Sequence, residues 1–244
     1  VLSIFIPTTH GTGSEVTKWG TVWNTAEKKK YSISHQDLYP SIAILDANLM
    51  SSLPLDISII TTMDALSHSF ESIWNKNANQ TSIDYAVESI CMILRNIESL
   101  KQNPSKLETR KILLKASNLA GLAFSNTKTA AAHSISYPLT INYGIPHGIA
   151  SSLALLPLLR INMTAIEEEL DLIRKKLELN DIYDLENLIR IIPDTLQKFN
   201  LESWGVNKDH LGELVEQSFT KGRMDNNIVN LSERDVYNIL QSIY

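Results

Sequence analysis

From Leu53 to the C-terminus, apolar residues recur every three or four positions, a period that buries one face of a helix and fits no strand. This pattern constrains the chain more than any other feature. It predicts helices near 55–74, 79–99, 107–126, 148–160, 163–177, 183–199, 207–218 and 232–243, so the fold is expected to be mainly α. Start signals agree: Ser82 precedes Ile83 to Glu88, Ser105 precedes a charged-then-apolar run, and Ser232 with Asp235 resembles a capping box. Between the third and fourth predicted helices, Pro138, Asn142, Tyr143, Gly144 and Pro146 predict a chain that turns back on itself.

The first fifty or so residues differ. Val1 to Ile6, Trp19 to Trp23, Tyr31 to Ile33 and Ile42 to Leu45 read as strands separated by Gly, Asn and Pro. The shift near Pro54 suggests two parts, 1–52 β-rich and 53–244 helical. Val1 opens inside a strand pattern without an initiator Met, so the chain is expected to begin within a domain. At 244 residues and 43% hydrophobic content it has material for a proper core.

Several function classes recede on composition. A net charge of −5 and no basic cluster longer than Lys28 to Lys30 offer nucleic acid no electrostatic footprint. The lone Cys91 forbids an internal disulfide and sits in an apolar helical pattern, as a buried small hydrophobe would. No signal peptide opens the sequence, and the apolar stretch Gly148 to Leu159 is too short for a bilayer and contains Pro157. A cytoplasmic protein without a membrane segment is the expectation.

Asp64 and His68 stand i, i+4, so a helix projects both from one face. Alone, the pair reads equally as a solvated pair or an acid near a helix dipole. His133 and His147 are surrounded by small residues, Ala130 to Ala132, Ser134 and Ser136 on one side and Gly148, Ala150, Ser151 and Ser152 on the other. These admit either a ligand or a closely packed helix. Three imidazoles and a carboxylate suit iron(II), zinc or nickel better than magnesium or calcium. Of the other histidines, His35 and His210 read as surface residues, whereas His10 lies in the turn Pro7-Thr8-Thr9-His10-Gly11-Thr12-Gly13-Ser14-Glu15. Its hydroxyls and glycines could cradle a phosphate or ribose, although a polar β-turn has the same appearance.

In this order, the threonine–glycine turn, Asp64-Ala65-Leu66-Ser67-His68, His133 and Pro146-His147-Gly148 together resemble the iron-containing (group III) alcohol dehydrogenases. The resemblance implies a dehydroquinate synthase-like architecture, with the β-rich tail of an α/β nucleotide-binding domain (1–52) preceding an all-α metal-binding domain (53–244). The family's Gly-Gly-Gly-Ser pyrophosphate loop is absent from this sequence, which implies a missing upstream part. It also implies Asp64, His68, His133 and His147 as ligands of iron(II), with zinc as the other candidate. Thr8, Thr9, Thr12 and Lys30 would lie beside NAD or NADP, and the enzyme would be a homodimer acting on a small aldehyde or alcohol.

Many members carry a further histidine four residues after the third ligand, where this chain has Tyr137, so Tyr137 becomes the candidate for proton transfer. The runs Ala131 to Thr140 and Glu71 to Asn75 look like the phosphonoacetaldehyde reductase branch, with Arg223, Lys18 and His10 as candidate anion-binding residues. A metal-dependent hydrolase or oxygenase with the same ligands, and a non-catalytic helical module, are the rival readings.

Overall fold

A computed structural model describes residues 2–24, 26, 27 and 29–244, and of Lys29 the backbone alone. At its centre lies α1 (Leu55–Ile73), in which every residue from Thr62 to Ile73 is buried. A helix enclosed on all sides must find partners for its polar groups. Ser67 donates to the Ser151 carbonyl at 3.2 Å, and Ser69 to the Ala65 carbonyl and to Ser89 Oγ at 2.9 Å. The helices α2 (Gln80–Gln102), α3 (Leu107–Thr127) and α5 (His147–Leu153) pack directly on α1. Cys91 on α2 is completely buried, and burial pushes its thiol up to about 11.

Helix starts follow capping chemistry. Asn79 caps α2 and Ser82 closes a reciprocal capping box from the third helical position, so Ser82 lies inside the helix instead of preceding it. Lys106, not Ser105, stands at the cap of α3. The Ser232/Asp235 box opens α10 (Glu233–Ser242).

The sequence reading missed one helix. The segment expected to turn back is α4 (Ala131–Tyr143), with Pro138 inside it, and the reversal is confined to Gly144, Ile145 and Pro146. An internal proline costs roughly 3 kcal/mol, but Ala131 to Ser136, Pro138 and Leu139 are all buried against neighbours that include α5 and α9 (Leu211–Ser218). Tertiary burial outweighs the local penalty. The helix expected at 148–160 is divided at Ala154 into α5 and α6 (Leu155–Asn162), which places Pro157 in the first turn of α6, where a missing N–H is tolerated.

The expected helix at 163–177 begins as a 3₁₀ turn before α7 (Glu167–Leu177), and that at 183–199 stops early as α8 (Ile182–Arg190), with Pro193 in the 3₁₀ turn that follows. Within His147–Leu177 an 18-residue window is apolar enough to cross a membrane (mean hydropathy 1.5), yet 61% of that window is buried inside the protein. It is core.

All four strands among the described residues precede α1. β1 (Ile4–Phe5) pairs in parallel with β4 (Ile42–Ala43), and β2 (Trp19–Asn24) pairs antiparallel with β3 (Lys29–Ser34). In the hairpin, Trp19, Thr21 and Trp23 alternate onto one face with Ser32 and Lys30 opposite, while Val22, Tyr31 and Ile33 face solvent.

Candidate metal centre

The inward face of the β2–β3 hairpin roofs a cavity of about 350 Å³ whose floor is Asp64, His68, His133 and His147. α1 supplies the first two by helical spacing, α4 supplies His133 near its start, and α5 begins with His147. Gly148 explains the last placement: a Cβ there would lie 2.3 Å from the Ile60 carbonyl oxygen of α1. Only glycine lets α5 approach α1 so closely.

Asp64 is the hub. Its Oδ1 lies 3.6 Å from His133 Nε2 and 4.0 Å from His147 Nε2, and its Oδ2 4.0 Å from His68 Nδ1. Possible ligand atoms of Asp64, His133 and His147 all fall within 4.8 Å of one another. His68 lies outside that tight set, its ring stacked between Phe124 (4.2 Å) and His133 (4.4 Å). His68 Nδ1 and His133 Nε2 are buried without a hydrogen-bond partner. Buried polar atoms rarely go unpaired, and ligands each about 2.1 Å from one ion stand roughly 3–3.5 Å apart. The donor set fits a divalent ion of the iron or zinc type.

The electrostatics favour the same use. Burial lowers the His68 and His147 imidazoles to about 4, with Asp64 opposing, so both are neutral near pH 7, as an imidazole must be to hold a metal. Burial works against the Asp64 carboxylate, yet His68, His133 and His147 hold it well below the usual range. His133 is different: burial opposes its charge, but Glu71 and Asp64 raise it to about 10. Glu71, fully buried, accepts from His133 Nδ1 in a short contact and from the His133 backbone N–H at 3.0 Å. A carboxylate behind a ligating imidazole fixes its tautomer and orientation.

Around the walls, Arg223 Nε donates to Tyr137 Oη at 3.3 Å and Lys30 Nζ lies 3.6 Å from the Tyr137 ring centroid. Burial would raise the Tyr137 hydroxyl, but Lys30, His133 and Arg223 hold it below its ordinary value, while burial lowers the Lys30 ammonium. Lys30, Tyr137 and Arg223 also border a second cavity of about 680 Å³. Asp64 is the only carboxylate among the residues lining the first cavity, against the cations Lys30, Lys128 and Arg223.

Of the threonines in the turn, Thr12 lines the cavity; Thr8 is exposed, Thr9 half-buried, and neither reaches the lining. His10 is not available to an anion. It is completely buried, with Nε2 3.0 Å from Arg110 Nη1 and Nδ1 3.0 Å from Thr62 Oγ1. Burial and Arg110 lower it to about 3, so it carries no charge. Guanidinium only donates, so Nε2 accepts and Nδ1 bears the proton. Lys18 lies over the Tyr39 ring at 5.8 Å and does not line the cavity.

Sequence reasoning overlooked Glu71, the hairpin roof and Lys128. Glu71 had a signal, since it continues the Asp64/His68 face at i+7. So did the roof, through the alternation Trp19, Thr21, Trp23.

The Fe-containing alcohol dehydrogenase family, C-terminal, matches residues 58–244, and iron-containing alcohol dehydrogenase matches residues 1–47. 1,3-Propanediol dehydrogenase of Citrobacter freundii is 35% identical over 166 residues, which cover 68% of this chain and 43% of that enzyme. 4-Hydroxybutyrate dehydrogenase of Clostridium kluyveri is 27% identical over 251 residues, covering 99% of this chain and 67% of that one. The crystal structure of sulfoacetaldehyde reductase from Bifidobacterium kashiwanohense in complex with NAD+ superposes with a TM-score of 0.92 at 29% identity, over 100% of this chain and 65% of that one. The chain thus spans between under half and about two thirds of these relatives. With family matches running through both the β-rich segment and the helices that carry Asp64, His68, His133 and His147, the chain belongs to the iron-containing alcohol dehydrogenase family.

Proposed function

We propose that this chain carries the metal site of a nicotinamide-linked oxidoreductase that interconverts a small aldehyde and its alcohol. The observation that carries the reading is the convergence of Asp64, His133 and His147, with His68 beside them, on one buried cavity that Thr12 also lines. Asp64, His68, His133 and His147 would hold iron(II), which the family name favours, or zinc; the cofactor is NAD or NADP, NAD being bound in the sulfoacetaldehyde reductase neighbour. When bound, the metal supplies Lewis acidity toward a carbonyl oxygen and the nicotinamide supplies the hydride.

The chain's own residues do the rest. Glu71 orients His133, Thr12 faces the space where the nicotinamide end is delivered, with Thr8 and Thr9 at the outer side of the turn, and Tyr137 returns the proton. Residues 1–52 belong with the nucleotide-binding part and 53–244 with the metal-binding part, in a homodimeric enzyme.

The walls support a narrower substrate class. Two cations, Lys30 and Arg223, converge on Tyr137 with no ion-pair partner for either among the described residues. A small aldehyde with an anionic tail suits them, phosphonoacetaldehyde going to 2-hydroxyethylphosphonate being the specific proposal. The sulfoacetaldehyde reductase likeness supports a charged tail of this kind. Asp64→Ala in the full-length enzyme tests the reading: metal content and aldehyde reduction are lost together while helical circular dichroism persists. Turnover without bound metal would refute it.

A further inference from the structure

The connection from α3 to α4 contains the most strained residue of the cavity wall. Lys128 has φ 66° and ψ 177°, a backbone region populated almost exclusively by glycine. Such a conformation persists only where the surroundings impose it, and here they do so at three consecutive carbonyls. The Thr127 carbonyl accepts from Asn77 Nδ2 at 3.4 Å, that of Lys128 from Asn75 Nδ2 at 3.2 Å, and that of Thr129 from Asn226 Nδ2 at 2.9 Å. The Lys128 N–H is itself held by the Phe124 carbonyl at 2.7 Å.

Three asparagines from two distant segments therefore fix a backbone that glycine would adopt without strain. A lysine in that place brings a side chain that glycine lacks. Lys128 is exposed, lines the metal cavity, and makes no ion pair among the described residues. Its position is set by the same connection that leads three residues later into the buried turn of α4 carrying His133. The base of this side chain is thereby held at the cavity wall by rigid backbone, whereas Lys30 and Arg223 come from the hairpin roof and from the segment ahead of α10.

We infer that Lys128 is a specificity-determining residue, its ammonium anchoring the anionic tail of the substrate while the strained backbone holds the base of the side chain at the cavity wall. The inference rests on the aldehyde reduction proposed above. A charge-assisted contact of this kind is worth about tenfold or more in binding, so its loss falls on anionic substrates far more than on neutral ones.

The test is Lys128→Gly and Lys128→Met in the full-length, metal-loaded enzyme, comparing kcat/KM for phosphonoacetaldehyde and for propionaldehyde. Both variants are expected to lower the ratio of the two constants at least about tenfold, through KM for the anionic aldehyde. The glycine variant alone is expected to raise Tm, by about 2–4 °C, because relief of strain exceeds the added freedom of the unfolded chain. Loss of anion preference together with a raised Tm separates this role from a structural one, which would move stability and leave the ratio alone. A wild-type ratio near one would sink the anionic-substrate reading itself. A high wild-type ratio left intact in both variants would overturn the assignment of Lys128.

Discussion

The two parts of this molecule use apolar residues in opposite ways. In the helices after Pro54, Ile59, Leu66, Phe70, Ile90 and Ile97 are sealed to 1% exposure or less, whereas Leu2, Ile4, Ile6, Val22 and Ile33 in the strand segment are 48–74% exposed. Side chains of the same kind thus pack in one part and coat the surface of the other. The helical part builds its own core, and with it the metal site. The strand segment joins the helices through contacts that include the buried His10–Arg110 pair, a glycine–glycine approach of Gly13 to Gly121, Trp19 stacked on Phe124 at 5.7 Å, and Ala47 and Met50 packed with Leu114. A Cβ on Gly13 would lie 2.5 Å from the Gly121 Cα. Most of the core and the four candidate metal ligands therefore lie in one part, and the cover over the cavity in the other.

Arg110→Ala should break this arrangement most. Arg110 also donates to Ser58 Oγ at 2.5 Å and to the Leu53 and Pro104 carbonyls at 2.7 and 2.8 Å, so truncation leaves buried acceptors unpaired beside a void. We expect a loss of about 2–4 kcal/mol in urea unfolding, with faster amide exchange around residues 10–17 and metal binding retained. Metal loss in the folded variant would show that the two parts are one unit.

Glu71→Gln sharpens the contrast from inside the helical part. It keeps the shape but removes the charge behind His133, and metal affinity should fall about 10–100-fold in a chelator competition while the unfolding midpoint of the metal-free protein moves little. An unchanged affinity would mean that Glu71 serves packing alone.

The smallest effect belongs to the outer hairpin face. Val22→Thr removes an exposed apolar group beside Ile33 and Tyr31, and its effect on unfolding free energy should stay within about 0.5 kcal/mol. A larger loss would show that this face is covered in solution.

How far the sequence reveals all this differs between the same two parts. The Asp64/His68 spacing shows in the sequence because a helix turns i, i+4 into one face, and His133 and His147 stand out by residue type. α4 did not stand out, because Pro138 and Gly144 are local turn signals and the burial that overrides Pro138 comes from tertiary packing on α5 and on the distant α9. His10 misled for a related reason: a histidine in a glycine turn looks available, and only Arg110, a hundred residues away, shows that it is sealed. Lys128 had no signal, since backbone strain is invisible in residue type.

Cys91 is the chain's only thiol, placed on the side of α2 that is enclosed by the rest of the helical core. A thiol reagent must wait for that core to open, because burial both bars access and, by raising the thiol to about 11, suppresses the reactive thiolate in the closed state. The rate at which Cys91 is labelled is therefore a clock for core opening, unaffected by fraying of the strands or by motion of the hairpin above the metal.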